Sequence, residues 1–217
     1  VAGRASKGRP IVNMLPLEEG ERITSILPVE SYDDEHFILM ATANGVVKKT
    51  SLMDFSRPRT SGLIALGLDE GDYLVGTAIT DGGDDVMLFS SSGKAIRFDE
   101  DGIRAMGRTA RGVRGIKLAE AHKVISLIVP KDGGKILTAS INGFGKKTEL
   151  EEFSKIGRGG QGVIAMQCSE RNGELVSAVQ VFDGDEMMLI SDQGTLVRTR
   201  CDEVSTSGRN TQGVKLI

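Results

Sequence analysis

Short apolar runs separated by glycine-containing turns alternate along this chain. The run 37–43 ends at Asn44-Gly45, and a second run returns over 46–50. Asn-Gly between two such runs is a strong short-range signal for a β-hairpin, because both residues accept positive φ angles. The pattern therefore predicts an antiparallel hairpin over residues 37–50.

The same pattern returns three more times along the chain. Its copies occupy residues 85–98, 135–148 and 186–200, and the turn glycines of the four hairpins are Gly45, Gly93, Gly143 and Gly194. A constant period of about 50 residues is typical of repeat architectures. We therefore interpret the chain as a series of repeats, each built on one hairpin.

A second series of glycines keeps the same period. Its clearest member is Gly157-Arg158-Gly159-Gly160-Gln161-Gly162, in which Gly-Arg is followed by three residues and a closing glycine. The same frame occupies 3–8, 107–112 and 208–213, a weaker form occupies 57–62, and the closing glycines are Gly8, Gly62, Gly112, Gly162 and Gly213. This series predicts one tight glycine-arginine turn in every repeat.

Two nucleotide-binding interpretations of these glycines are disfavoured. A dinucleotide-binding loop needs a helix after the last glycine, whereas Val163-Ile164 begins an apolar run without a helical period. A phosphate-binding P-loop needs Lys and then Ser or Thr at that place, and none of the frames has them. Glycines at a fixed place in each repeat are better explained by positive φ or by close backbone approach.

Two further strands are predicted for each repeat. An apolar segment follows the glycine-arginine turn, at 63–68, 113–118, 163–168 and 214–217. A last strand follows a polar loop, at 73–80, 123–129 and 174–181, and two comparable strands near the start are predicted at 9–15 and 21–29. Four short strands per repeat are typical of a propeller blade.

We therefore predict an all-β, propeller-like fold built of four-stranded repeats of about 50 residues. The predicted domain covers residues 1–217, with the back half of a blade in 1–34, whole blades in 35–82, 83–132 and 133–183, and an incomplete blade in 184–217. The pattern leaves open whether the terminal parts close a ring.

The sequence shows no set of residues suited to catalysis or metal binding. Cys168 and Cys201 form no Cys-x-x-Cys pair, and His36 and His122 stand isolated. We expect no catalytic residues, metal site or cofactor in this chain. It has no run of 18 apolar residues and no signal segment, so we expect a cytoplasmic protein.

The charges are unevenly distributed, although the formal net charge is only -3. The turn and connector segments hold 20 Lys and Arg against 9 Asp and Glu, and the rest of the chain holds 7 against 21. These segments are 1–9, 44–62, 92–115, 142–162 and 193–213. Equivalent positions of a repeat array share one edge, so the pattern predicts a basic rim. Acidic residues before the hairpins, including Asp33, Asp34, Asp84, Asp85, Asp183 and Asp185, are expected away from it.

A curved basic rim suits the phosphate backbone of duplex DNA, which positions a protein without base readout. The scarcity of aromatic residues disfavours a single-strand binder. The candidate DNA-binding residues are Arg4, Lys7, Arg9, Lys48, Lys49, Arg57, Arg59, Lys94, Arg97, Arg104, Arg108, Arg111, Arg114, Lys146, Lys147, Lys155, Arg158, Arg198, Arg200 and Arg209. A propeller-like scaffold that binds acidic protein tails is the alternative, and an enzyme is disfavoured by the absence of an acid-base set.

Several segments resemble the family of C-terminal domains of DNA gyrase A. They are Gly-Arg-Pro-Ile-Val-Asn at 8–13, Met-Ala-Thr-Ala-Asn-Gly at 40–45, Val-Arg-Gly-Ile at 113–116, Gly-Thr-Leu-Val-Arg-Thr-Arg at 194–200 and Gly-Arg-Asn-Thr-Gln-Gly-Val at 208–214. The resemblance covers essentially the whole chain. It is closer to gyrase than to topoisomerase IV, whose equivalent domain shares the fold.

The resemblance implies a six-bladed β-pinwheel whose neighbouring blades exchange strands and whose basic perimeter wraps double-stranded DNA. It implies that this fragment bends DNA without cutting it, in support of ATP-dependent negative supercoiling by the whole enzyme. The breakage tyrosine and the use of ATP and Mg²⁺ are then expected outside this chain, in the rest of gyrase A and in gyrase B.

Two features of that family differ in this sequence. The gyrase A box of the first blade, Gln-Arg-Arg-Gly-Gly-Lys-Gly, has only a relative here, at residues 158–162. The acidic tail of the family is also missing from the sequence. We therefore expect partial bending of DNA rather than a full wrap.

Overall fold

A computed structural model describes residues 6–8, 10 and 13–217, and this part of the chain folds into β-strands and short 3-10 turns without an α-helix. The strands are β1 (Phe37–Thr42), β2 (Val46–Ser51), β3 (Leu74–Thr80), β4 (Asp85–Ser90), β5 (Lys94–Asp99), β6 (Val113–Arg114), β7 (Val124–Ile128), β8 (Lys135–Ser140), β9 (Phe144–Glu149), β10 (Val163–Ile164), β11 (Leu175–Val181), β12 (Glu186–Ile190), β13 (Leu196–Arg200) and β14 (Val214–Lys215). The all-β prediction is confirmed. Within the described ranges, no helix is long and apolar enough to cross a membrane.

All four predicted hairpins are present. They are the antiparallel pairs β1–β2, β4–β5, β8–β9 and β12–β13. Gly45, at the first turn, has a φ of +83°, which glycine adopts at little cost. The local signal of a turn glycine between two apolar runs was therefore sufficient to predict these elements.

A third strand lies on the inner side of each of the first three hairpins. Strands β3, β7 and β11 pair antiparallel with β1, β4 and β8, as predicted for the last strand of each repeat. Strand β7 also packs against both β3 and β11, so the inner strands of neighbouring sheets lie next to each other. This places the inner strands toward a common centre and the other side of each hairpin toward the perimeter.

The outer strand of each sheet comes from the following repeat. Strand β6 pairs with β2, β10 with β5, and β14 with β9, which gives three four-stranded sheets. The sheet orders are β3-β1-β2-β6, β7-β4-β5-β10 and β11-β8-β9-β14, and β12–β13 forms a two-stranded fourth sheet. Neighbouring repeats therefore exchange a strand, as the resemblance implies.

Some predicted strands differ from the structure. Only two residues of each segment at 113–118, 163–168 and 214–217 are strand, and residues 63–68 and 21–29 form none. The predicted strand at 9–15 lies partly outside the described residues, and its part at 13–15 is not a strand. An outer strand needs the hairpin of the preceding repeat as its partner, and the described residues before Phe37 form no such hairpin for 63–68.

The core consists of layers between successive sheets, because the sheets bury both faces. In β4, Val86 and Leu88 pack into the layer shared with the first sheet, and Met87 and Phe89 pack into the layer shared with the third. All four side chains are completely buried. The ring of Phe89 meets Phe153 of the next repeat edge to face, with centroids 6.0 Å apart. A central strand with four consecutive apolar residues, 86–89, thus packs against the sheets on both of its sides.

Candidate nucleic-acid interface

The outer edge of each complete sheet is formed by the connector of the following repeat. Residues Ala105, Lys155 and Thr206 run parallel to the second hairpin strand of the first, second and third sheet, through single bridges to Lys49, Arg97 and Lys147. The chain then makes the glycine-arginine turn and returns as the outer strand. Every perimeter edge therefore presents one such turn.

The closing glycine of each turn presses against the neighbouring hairpin. Gly112, Gly162 and Gly213 have φ angles of +102°, +72° and +76°. A Cβ atom there would lie 2.5, 2.2 or 2.6 Å from a main-chain oxygen of the hairpin strand. Both the backbone angle and the close approach exclude larger residues. These positions agree with the expectation of tight turns in place of nucleotide-binding loops.

The perimeter of the first sheet carries the clearest group of accessible arginines. Arg104 and Arg114 are exposed and Arg108 is half-buried, and none of the three forms a salt bridge within the described structure. Arg111 is also exposed and reaches Asp69 at 2.6 Å. That pair is solvated on both sides, so it contributes little to stability and leaves the guanidinium accessible. We call Arg104, Arg108, Arg111 and Arg114 the first-edge arginines.

The arginines of the later turns are used differently. Arg158 donates through Nε to the main-chain oxygen of Gly102 (2.7 Å) and through Nη1 to that of Arg114 (2.8 Å). Arg209 donates through Nη1 to the main-chain oxygen of Ile164, at 2.9 Å. Each side chain thus ties its turn to the outer strand of the preceding sheet. Arg158 nevertheless remains exposed on the perimeter.

Lys48 and Lys146 were predicted on the rim, and the structure places both completely inside. Lys48 donates through Nζ to the main-chain oxygens of Ala65, at 2.6 Å, and Arg108. Lys146 donates to those of Gly208, at 2.6 Å, and Arg209. Burial lowers the pKa of each lysine to about 8. Their predicted position on a DNA-binding surface is therefore wrong, because their ammonium groups face backbone carbonyls.

Lys49 and Lys147 are also buried rather than on the rim. The Nζ atom of Lys49 lies 3.4 Å from the completely buried carboxylate of Glu100, which also accepts a hydrogen bond from Thr80 at 2.6 Å. The main chain of Lys147 bonds Ser205 and Ser207 of the next connector. The side chain of Lys49 therefore reaches the next repeat, and the backbone of Lys147 is covered by the next connector.

Several other candidates are paired with carboxylates. Arg97 and Lys155 both reach Asp85, at 2.6 and 2.7 Å. Burial would raise the pKa of Asp85, but hydrogen bonds from Lys155 and Arg97 outweigh it and lower the pKa. Asp85 was expected away from the basic side, so that expectation is wrong for this residue. Farther along, Arg198 pairs with Glu186, and Arg200 with Asp202 at 3.3 Å.

The remaining candidates are distributed over other parts of the surface. Lys7, Arg57 and Arg59 are exposed, and Lys94 is half-buried and donates to Gln161 at 3.3 Å. Arg4 and Arg9 lie outside the described residues.

Lys215 is exposed in the outer strand of the third sheet and is not among the predicted site residues. It stands two residues after its closing glycine, as Arg114 does in the first sheet. The phase of the repeat, applied to that position, could have found it.

A group of acidic residues lies near the second hairpin. Oxygens of Asp81, Asp84 and Glu100 come within 4.8 Å of one another. Their oxygens are already engaged, because Glu100 accepts from Thr80 and from the Gly82 amide, and Asp84 pairs with Lys131 at 3.0 Å. The group has the character of a hydrogen-bonded loop rather than of an open set of ligands.

The sequence of the chain is similar to those of known proteins over its whole length. A family model described as "DNA gyrase C-terminal domain, beta-propeller" matches residues 1–30, 36–81, 84–131, 134–181 and 185–217. The chain belongs to this family. The DNA gyrase A protein of Salmonella typhimurium is 58% identical over 216 residues, and that of Pseudomonas aeruginosa is 53% identical over 259. Both matches cover 100% of this chain but 25% and 28% of the relative, so the chain spans about a quarter of the curated relatives it matches.

Solved structures of gyrase-type C-terminal domains share the fold. A structure described as the C-terminal domain of DNA topoisomerase IV has a TM-score of 0.90 and 28% identity, and covers 97% of this chain and 66% of its own. A DNA gyrase A C-terminal domain has a TM-score of 0.86 and 26% identity, and covers 98% and 71%. The fold is thus found in C-terminal domains of both enzymes, whereas the two curated relatives named above are gyrase A proteins. The predicted membership in the gyrase A family is confirmed.

Proposed function

We propose that this domain binds double-stranded DNA along the perimeter of its sheets and bends it there. The observation that carries the proposal is the group of first-edge arginines beside a glycine-arginine turn, on an edge that repeats around the molecule. Accessible guanidinium groups suit phosphate oxygens because they donate in a planar fork. Binding of this kind depends on charge and backbone position, and is therefore largely independent of sequence.

The first-edge arginines allow a direct test by fluorescence anisotropy with labelled duplexes. Arg108→Ala/Arg114→Ala removes two cations that have no salt bridge within the described structure. We expect weaker binding to duplexes of unrelated sequence. We also expect the slope of log K against log salt concentration to fall by up to ~1.8, because each phosphate contact contributes ~0.9.

A matched control removes the same formal charge elsewhere. Lys131→Ala/Lys135→Ala deletes two cations that pair with Asp84 and Glu149, at 3.0 and 2.6 Å. We expect this control to keep the salt slope of the unmodified domain. Equal losses in both variants would mean that net charge alone attracts DNA. No loss in the arginine variant would overturn the assigned surface and favour a scaffold that binds acidic protein segments.

The wider role follows from the family and belongs to the same proposal. DNA bent on this domain would support ATP-dependent negative supercoiling by a complete gyrase, together with the rest of gyrase A and with gyrase B in the bacterial cytoplasm. The domain itself would contribute binding and bending, with the cleavage chemistry and the use of ATP and Mg²⁺ in other parts of the enzyme. Relaxed-plasmid supercoiling by an enzyme carrying the Arg108→Ala/Arg114→Ala change should therefore slow more than relaxation of supercoiled DNA.

A further inference from the structure

Two buried lysines occupy the same place in two different sheets. Lys48 in β2 and Lys146 in β9 both stand three residues after the turn glycine of their hairpin. Each ammonium group donates to two main-chain oxygens, and one of these belongs to the arginine of the glycine-arginine turn, Arg108 or Arg209. The same contact in two repeats makes a coincidence of packing a poor explanation.

The contact lies directly behind the perimeter surface. The main-chain oxygen of Arg108 points inward to Lys48, so the backbone of the turn is fixed on its inner side. The other oxygen on Lys48 belongs to Ala65, which lies in the connector 56–68 of the preceding repeat. The Gly67 amide also donates to the main-chain oxygen of Ala110, at 3.2 Å. The lysine therefore holds two chain segments together beneath the first edge.

Burying a charge to hold a turn costs desolvation free energy. The same molecule also contains an apolar residue at the equivalent position of another sheet. The equivalent position in the second sheet is Ile96, whose Cδ1 lies beside Gly160 of that turn. The second turn is held instead by Arg158, whose guanidinium donates to two backbone oxygens. An apolar residue at this position is thus compatible with the fold, and the lysine serves more than packing.

We propose that Lys48 and Lys146 are positioning residues for DNA binding, each holding the backbone of a glycine-arginine turn so that the turn presents its cations to phosphate. This inference rests on the proposed function. The lysines themselves do not touch DNA in this arrangement, because they are completely buried. They act through the turn, because they restrict the motion of its backbone.

The first test measures the turn without DNA, by amide hydrogen exchange in Lys48→Met. Methionine preserves much of the volume and removes the donors, and Ile96 shows that the fold accepts an apolar side chain there. The variant loses the hydrogen bonds from the Lys48 ammonium to Ala65 and Arg108, and bonds from charged groups are among the stronger ones. We therefore expect exchange at the nearby amides of Ala110 and Gly67 to accelerate by roughly tenfold. The amides of β8, in another sheet, should keep their protection. Unchanged exchange at Ala110 and Gly67 would overturn the inference whatever the domain does with DNA.

The second test measures DNA binding in a double-mutant cycle. Lys48→Met should weaken duplex binding and lower the salt slope, although it removes no surface charge. Combined with Arg108→Ala/Arg111→Ala it should cost less than the sum of the separate losses, because both changes act on the same contacts. A purely structural role of Lys48 would leave the salt slope unchanged. Additive losses would mean that Lys48 does not act through the contacts made by these arginines. If Arg108→Ala/Arg111→Ala alone has no effect on binding, the proposed function fails, while the exchange result still decides the role of the lysine.

The third repeat keeps the inference testable if Lys48→Met does not fold. Lys146→Met should accelerate exchange at the Thr211 amide, which donates to the main-chain oxygen of Arg209 at 3.0 Å. Lys131→Met is the control, because Lys131 is an exposed lysine whose Nζ reaches Asp84. Accelerated exchange in Lys146→Met and not in Lys131→Met supports the inference, and equal behaviour contradicts it.

Discussion

Single basic side chains hold neighbouring repeats together. The guanidinium of Arg97 donates to the main-chain oxygens of Leu150 and Phe153, at 3.2 and 3.3 Å, in the 3-10 turn of the next repeat and just after it. Lys49 approaches the main-chain oxygen of Glu100 in the same way, at 3.4 Å. The basic residue four positions after a turn glycine therefore reaches across to the next repeat. These charged side chains therefore connect repeats and are not merely solvated surface groups.

Net charge along the sequence could not reveal this use. Lys48 and Lys49 lie in a polar stretch whose composition is typical of an exposed strand, yet β2 is covered on both faces. Burial there depends on segments far away in the sequence, such as Arg108 and Glu100. The candidate site was predictable at the first-edge arginines, whose turn is a local feature. It was not predictable for lysines whose partners come from other repeats.

The two buried lysines predict how stability depends on pH. Their folded-state pKa of about 8 lies below the usual value of 10.5, so the unfolded chain binds more protons between these values. The free energy of unfolding should therefore rise with pH above about 8, by at most ~1.4 kcal/mol per pH unit for each lysine. Below that range both states are protonated and this contribution to the slope disappears.

Urea unfolding from pH ~7 to ~10 would measure this effect in the unmodified domain and in Lys48→Met/Lys146→Met. The stability difference between them should change in favour of the unmodified domain as pH rises. A constant stability difference between the unmodified domain and the double variant would contradict the inferred burial cost.

At the scale of elements, the hairpins and the outer strands differ in how they are determined. A hairpin is encoded by about 14 adjacent residues and a turn glycine, so its position follows from the local pattern. Strand β6 has two residues and exists because Val113 and Arg114 pair with Val47 and Val46 of another repeat. The segment 63–68 has similar apolar residues but no such partner in the described structure, and it is not a strand. Local pattern therefore predicted the hairpins and the inner strands, and non-local pairing decided the rest.

The closing glycines give a prediction at this scale. Gly162→Ala should destabilise the domain by at least ~2 kcal/mol, because alanine is strained at positive φ and its Cβ would meet the main-chain oxygen of Ala95. Gly62→Ala is the matched control, with a φ of +77° and no atom within 4 Å of the added Cβ. It should cost roughly the backbone term alone, ~1 kcal/mol. Equal losses in thermal or urea unfolding would show that the turn does not press on the hairpin strand.

At the scale of the whole molecule, part of the basic rim inferred from the sequence is interior and part is perimeter. Four of its lysines are buried, and Arg97, Lys155, Arg198 and Arg200 have acidic partners. The first-edge arginines and Lys215 lie on outer edges of different sheets. A duplex that contacts one of these edges must curve to reach the other. Bending a site of 20–30 base pairs by 40–90° costs on the order of 1–6 kcal/mol, so several contacts must share the load.

Curvature predicts that the effect of a perimeter mutation depends on DNA length. Arg108→Ala/Arg111→Ala should weaken binding of a duplex of several helical turns more than that of a duplex of about one turn, which can bind at another edge. Affinity against length, with a fluorescence distance between the DNA ends, would measure both binding and bending. A loss of the same size at every length would mean one local patch, and the bending part of the proposal would then be wrong.

The exchanged strands also determine when each sheet can be completed during synthesis. The first sheet needs Arg114, the second Ile164 and the third Lys215, each about 65 residues after the end of the hairpin it completes, which takes ~3–13 s at the usual rate of translation. During that interval a hairpin such as β4–β5 has an open outer edge and apolar faces that are not yet covered. Unpaired edges of this kind are where newly made chains associate wrongly. A nascent chain of this family thus passes through several seconds of exposure at every repeat, and its yield should be more sensitive to temperature and to chaperone supply than the stability of the finished domain would suggest.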